Sequence, residues 1–310
     1  MANFKHIPVL LKETIDSLNI KEDGIYVDLT LGRGGHSEAI LSRLSKDGLL
    51  IGVDQDETAI LESNERLSKV ANNFVLVRSN FSEIDTILHK MNIYEVDGIL
   101  MDLGVSSPQF DDVSRGFTYR YDAPLDMRMD QRNPLTAKII VNTYSLKELT
   151  DIFQIYGEEK YAYSIAKNIV KYRETKEINT TFELVEIIKE SKPSKELKKV
   201  GHPAKQVFQA LRIAVNDELN VLNETLNKAV YLLSKGGRLA VISFHSGEDK
   251  IVKQVFKKLT VIEGNRYDLP TEEKETEFFE VNRKVITPSE EELERNHRSA
   301  SSKLRIIERK

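Results

Sequence analysis

A doubly wound α/β core carrying an inserted all-helical domain is the architecture this sequence predicts, on three observations. Short apolar runs alternate with helical stretches through the first hundred residues. Strand signals then stop from about 112 to 202, and an apolar run resumes after the Gly236-Gly237 pair. Apolar strands separated by helices indicate a parallel sheet covered on both faces.

Ile25-Tyr26-Val27-Asp28-Leu29 reads as the first strand and ends in a glycine-rich turn; a helix follows from His36 to Lys46. Leu49 to Val53 is the second strand, followed by a helix over about 57–70. Phe74 to Val77, a helix over about 83–91 and Gly98 to Met101 complete the run. In the insert, Asn133-Pro134 reads as a cap with proline at the first helical position. Ser145 to Glu148 and Thr180 to Glu183 have capping-box spacing, in which hydroxyl and carboxylate each satisfy a free backbone N–H. Gly157 suits the end of the first of those two helices. Phe208, Leu211, Val215, Leu219, Leu222, Leu226, Val230 and Leu233 recur at threes and fours, predicting one long helix stopped by Gly236-Gly237. Arg238 to Phe244 returns to the sheet, and Leu304 to Ile307 is its last strand. The expected division is therefore 1–111 with 203–310 as the core, and 112–202 as the helical insert.

With 310 residues, 40% of them hydrophobic, the chain can bury such a core. It has no cysteine, which excludes disulfides, thiolate metal sites and a cysteine nucleophile. No apolar stretch approaches the roughly 18–20 residues of a membrane span. The N-terminus lacks the marks of a signal peptide, so a cytoplasmic protein with no membrane partner is expected. The net charge of −4 does not point to nucleic acid. The run from Lys192 to Lys205, however, holds five lysines and one glutamate. Alone it reads as a solvated face; lying in or just after an insert, Lys192, Lys195, Lys198, Lys199 and Lys205 become the candidate contacts to phosphate.

The glycine turn, Thr30-Leu31-Gly32-Arg33-Gly34-Gly35-His36, follows a strand and opens a helix. Such a turn lets a ligand approach the backbone and meet unpaired N–H groups. Asp54 ends the second strand, where a carboxylate can accept hydrogen bonds from ribose hydroxyls. The pair suits a dinucleotide or S-adenosylmethionine, and Ser37 stands where the dinucleotide fingerprint needs glycine. After the fourth strand comes Asp102-Leu103-Gly104-Val105-Ser106-Ser107-Pro108-Gln109-Phe110, a loop expected at the same crevice. Its end is similar to the Asp/Asn/Ser-Pro-Pro-Tyr/Phe motif of methyltransferases that modify exocyclic amino groups, with Gln109 in place of the second proline. A plain Ser-Pro turn is the other reading. His36, His202 and His245 are scattered without ligand spacing, so no metal site is expected.

Taken together, the segments resemble one family. Lys5-His6-Ile7-Pro8-Val9-Leu10-Leu11, Gly32 to Ser37, Asp102 to Gln109, Arg115-Gly116-Phe117 and Pro124 to Met129 look like segments of the RsmH (MraW) family. So do His202-Pro203-Ala204, Phe208 to Ile213, Ser243 to Ser246 and the final Lys303-Leu304-Arg305-Ile306, all in the family's order. Two departures are Gly247, where the family usually has leucine, and His297, where proline is common. The resemblance implies a Rossmann-like methyltransferase core with S-adenosylmethionine as cofactor. The implied reaction is methyl transfer to the exocyclic N4 of a decoding-region cytidine. The partner it implies is the RNA of the small ribosomal subunit, folded in the subunit; a homodimer is left open. Carried over by motif, Gly34, Gly35 and His36 surround the methionine part of the cofactor, Asp54 the ribose, and Phe81 the adenine, with Asp102 and Gln109 completing the pocket. Asp102, Ser107, Pro108 and His245 are the candidates for handling the base. A nicotinamide oxidoreductase, a methyltransferase of DNA or protein, and a non-catalytic ribosome-assembly factor are the competing readings.

Overall fold

The first strand is short and buried on both faces. In the computed structural model, which describes residues 8–105, 109–110, 112–261 and 275–310, β1 (Ile25–Asp28) points Tyr26 into one apolar cluster and Val27 into another. The same alternation runs through β2 (Leu49–Asp54) and β4 (Val96–Asp102), where Leu50 and Leu100 face one cluster and Ile51, Ile99 and Met101 the other. Helices α1 (Leu11–Ser17), α2 (Gly35–Leu41) and α3 (Glu57–Leu67) supply Ile15, Ile40 and Leu67 to the first cluster. Helix α4 (Ile84–Lys90), which follows β3 (Phe74–Arg78), supplies Ile84 and Leu88 to the second. Both faces of the sheet are therefore dry, as a parallel sheet requires.

The chain then divides into two compact units, Met1–Gly104 with Leu219–Lys310, and Val105–Glu218. The second unit is built of helices. They are α5 (Ala137–Thr143), α6 (Leu146–Ile155), α7 (Ala162–Arg173), α8 (Thr181–Glu190), the short α9 (Ser194–Leu197) and α10 (Lys205–Asn216). Leu149, Phe153, Ile165, Ile169, Leu184, Ile188, Phe208 and Leu211 form its core. Both capping boxes, at Ser145 and Thr180, are formed. The Asn133-Pro134 start is not: α5 begins three residues later, where the Thr136 hydroxyl accepts from Ile139 N–H, and Asn133 instead accepts from Leu135 N–H.

The unit borders fall at 104/105 and 218/219, against the expected 111/112 and 202/203. The second border moves because Phe208 and Leu211 of α10 belong to the insert's core, and the first because Val105 packs against the same cluster. The expected long helix is also broken, between α10 and α11 (Glu218–Ala229), at Asp217 in left-handed backbone, φ 50°. Asn216, the last residue of α10, grips the loop before α5 with its side chain. Its Nδ2 donates to Met127 O and its Oδ1 accepts from Met129 N–H, both at 2.8 Å. The Arg212 guanidinium then clamps Glu218 at both carboxylate oxygens, 2.8 Å each.

The core unit closes with β5 (Leu233–Ser243), α12 (Ser246–Thr260), β6 (Phe278–Glu280), α13 (Glu290–Arg295) and β7 (Lys303–Arg309). The Gly236-Gly237 pair does not stop a helix. It lies within β5, where the register against β4 jumps from Val96↔Leu233 to Gly98↔Arg238. The sheet order is β3-β2-β1-β4-β5-β7-β6, with β7 antiparallel to both its neighbours. Strand order reverses direction between β1 and β4, and in open α/β sheets ligands bind beyond the carboxyl ends of the strands at that reversal.

Candidate active site

Three adjacent strands of the core unit end in aspartate at this edge: Asp54 on β2, Asp28 on β1 and Asp102 on β4. Asp28 is 1% exposed. It accepts from the Ser37 hydroxyl at 2.7 Å and from Thr30 N–H at 3.1 Å, tying both ends of the glycine turn to β1. Burial pushes its carboxyl above the usual range, against those hydrogen bonds. Ser37 thus has a local partner that glycine would not provide, which explains its place in a turn that is not a dinucleotide fingerprint.

Asp54 holds the turn from the other side. Its Oδ2 accepts from Gly32 N–H and its Oδ1 from Asp56 N–H, both at 2.9 Å. Burial, with smaller contributions from Asp56 and Asp28, pushes its carboxyl up to about 6 although these two donors pull it down. Between the two aspartates, Gly34 caps α2 in left-handed backbone, φ 71°. A Cβ on Gly35 would come within 2.4 Å of the Pro8 ring, so only glycine lets the chain pass there.

Asp102 is the least compensated of the three. Its backbone N–H donates to Thr30 Oγ1 at 2.6 Å, its Oδ2 lies 3.6 Å from His36 Nδ1, and its buried Oδ1 has no hydrogen-bond partner among the described residues. Burial, then the charges of Asp28 and Glu248, pushes its carboxyl well above the usual range. His36 is buried and directs its other nitrogen to Val9 O at 3.0 Å, which assigns the proton to Nε2 and leaves Nδ1 toward Asp102. An unpaired, charge-frustrated carboxylate beside a glycine turn fits a ligand that brings positive charge and hydroxyl groups.

His245 follows β5 and opens α12. Its Nε2 lies 3.1 Å from Glu248 Oε1, and Glu248, 3% exposed at its side chain, accepts from Phe244 N–H at 2.7 Å through Oε2. Phe81 begins the turn after β3 and packs partly buried against the core beside that edge.

The sheet therefore gathers Gly34, Gly35, His36, Asp54, Phe81, Asp102 and His245 at one edge of one unit. Gln109 is buried in the other unit. Ser107 and Pro108 lie outside the described residues. Sequence reasoning missed Asp28 and Glu248. Asp28 is a polar end to an apolar strand just before the glycines, and Glu248 stands three residues after a helix-opening His245; both were available signals.

Residues 3–310 match the model of the MraW methylase family. The chain belongs to the MraW methylase family. The sequence segments had pointed to the same family. A ribosomal RNA small subunit methyltransferase H from Mesoplasma florum is 56% identical over 310 residues, covering 99% of each chain. Among solved structures, an rRNA methylase from Streptococcus thermophilus is 13% identical over 96% of this chain and 93% of its own, with a TM-score of 0.43. In this MraW-family methylase the glycine turn, the three strand-end aspartates and His245 all belong to the core unit. No described helix is long and apolar enough to cross a membrane.

Proposed function

We infer that this chain is an S-adenosylmethionine-dependent methyltransferase that modifies the exocyclic N4 of a cytidine in the decoding region of small-subunit ribosomal RNA. The full-length likeness to a small-subunit methyltransferase carries this reading, and the chemistry of the strand-end aspartates fits it. S-adenosylmethionine brings an electrophilic methyl on a sulfonium, an ammonium group and ribose hydroxyls. Asp102, with Oδ1 unpaired, is the acceptor for the ammonium. Asp54 is the acceptor for the ribose, and the turn through Gly34 and Gly35 lets the ligand meet the backbone. Phe81 is the adenine neighbour.

The N4 lone pair of cytosine is delocalised into its ring, so positioning matters more than prior deprotonation. Ser107 and the carbonyls around Pro108 are the proposed acceptors for the N4 hydrogens, and His245, braced by Glu248, orients the base or its phosphate. The target base must leave its stack to be reached, which favours locally opened RNA. The helical unit is the proposed RNA-docking element, and the enzyme is cytoplasmic because its substrate is. It works as a monomer or a homodimer, which light scattering distinguishes from the 35.4 kDa of one chain.

Mass spectrometry of small-subunit RNA nucleosides from cells with and without this protein tests the reading. N4-methylated cytidine should disappear with the protein, and its persistence would sink the assignment. For the base-handling residues, Ser107→Ala and His245→Ala should each slow single-turnover transfer by about tenfold, about 1.4 kcal/mol of barrier, with cofactor affinity intact. Wild-type rates in both variants would leave only the cofactor assignments standing.

A further inference from the structure

The His202-Pro203-Ala204 segment has no part in the cofactor chemistry, yet it builds an unusual surface in the helical unit. His202 stacks on Tyr119 with ring centroids 4.2 Å apart and planes 11° from parallel. Tyr119 in turn meets the buried Phe208 edge-on at 5.6 Å, which anchors the pair to that unit's core. Ala204 N–H donates to His202 Nδ1 at 3.2 Å. That bond fixes the ring plane and assigns the proton to Nε2, for which no described residue provides an acceptor. Both rings are half-buried. Beside them Arg120 is exposed and forms no ion pair among the described residues, and Lys189 is held only by an exposed pair with Glu186 on its own helix. Burial and then the charges of Lys189, Arg120 and Lys192 disfavour protonation of His202, so positive potential collects around a neutral aromatic face.

Resting on the reading of this chain as an RNA methyltransferase, we propose that the Tyr119–His202 stack, rimmed by Arg120 and Lys189, is a platform for an unpaired base and its flanking phosphates in the RNA substrate. Flat faces held in place, His202 by the Ala204 hydrogen bond and Tyr119 by Phe208, suit base stacking, which tolerates any base, while neighbouring cations track the backbone. The Nε2–H supplies one donor at the rim. An acidic protein segment would match the charge but would have no use for two parallel rings.

The test uses the full chain, small ribosomal subunits, and a single-stranded RNA oligonucleotide of about 12 nucleotides, within the length such surfaces bind. Tyr119→Leu and His202→Gln should each weaken binding to both probes by about tenfold, whereas Tyr119→Phe, which keeps the stack, should stay within about twofold. Replacing Arg120 and Lys189 with glutamine should weaken binding and flatten its salt dependence. In methylation assays the loss should fall on KM more than on kcat, and melting temperature and cofactor affinity should not move. Wild-type affinity in Tyr119→Leu overturns the proposal. So does a loss confined to the intact subunit, which would assign the surface to a ribosomal protein. Should Tyr119→Leu melt early, the Arg120/Lys189 double variant decides, and an unchanged affinity and salt slope there overturns the proposal as well. A wild-type protein that leaves small-subunit RNA unmethylated defeats the underlying reading instead, whatever the variants bind.

Discussion

Replacing Lys192 with methionine should destabilise the protein by about 3–5 kcal/mol, the cost of leaving one partner of a buried ion pair uncompensated. Lys192 had counted with its neighbours as a candidate phosphate contact, and the structure removes it from that set. Its side chain is 7% exposed and that of Glu159 is 3% exposed, with Nζ 2.6 Å from Glu159 Oε2. Nζ also donates to Pro203 O at 2.7 Å, and Glu159 Oε1 accepts from Tyr161 N–H at 3.0 Å. The pair therefore ties the segment after α8 to the segment before α7, and the bond to Pro203 adds the segment before α10, all inside the helical unit. Urea unfolding of Lys192→Met measures the cost directly. The double variant Lys192→Met with Glu159→Gln should recover much of it, because no buried charge is then left alone. A loss under about 1 kcal/mol would mean that water reaches the pair as it reaches surface ion pairs. Charge reversal of the exposed lysines, 195, 198, 199 and 205, remains a fair probe of RNA binding, and Lys192 must be left out of it.

Asp54→Ala should weaken S-adenosylmethionine binding by about 1.5–3 kcal/mol, the range for hydrogen bonds to a charged group. Part of that loss is indirect, since Asp54 also holds Gly32 N–H and with it the shape of the glycine turn. The pH dependence separates Asp54 from its neighbours. Its folded carboxyl titrates at about 6, above the ordinary 3.8. A carboxyl raised in this way favours the protonated form in the unliganded fold. Its contribution to stability is present below the unfolded value and is lost as pH rises through about 6. Ligand hydroxyls favour the ionised form, so affinity should climb as pH rises through the same range. Calorimetric titration at about pH 5 and about pH 7.5 should show that climb in the wild type and a smaller one in Asp54→Ala, which keeps only Asp28 and Asp102. Equal affinities in the two proteins would place the ribose elsewhere.

The local signals in this sequence were sufficient for much of the fold. Alternating apolar runs and helices announced β1 to β4; β1, β2 and β4 are apolar runs buried on both faces, as inner strands of a covered sheet are, while β3 is its half-buried edge. Ser145 and Thr180 announced their helices because a capping box is made within four residues. The glycine turn and Asp54 were legible for the same reason, since the turn's φ angles and the acid's position at a strand end are properties of short segments.

What the tertiary structure alone decided involves partners distant in sequence. The apolar period runs unbroken from Phe208 to Leu233, yet the chain turns at Asp217 because Asn216 is engaged by Met127 and Met129, almost ninety residues earlier. Gly236 and Gly237 look like a helix stop, but pairing with β4 makes them an irregularity inside a strand. Asp28 and Asp102 stand in plain view as polar strand ends, but only burial between packed layers raises their carboxyls above the usual range. Lys192 and Lys195 are three residues apart in one basic run, and only the presence of Glu159 under the first makes it a core residue and leaves the second in water. Periodicity and caps are written in neighbouring residues, whereas the protonation of an aspartate or the role of a lysine depends on what the fold brings within about 4 Å.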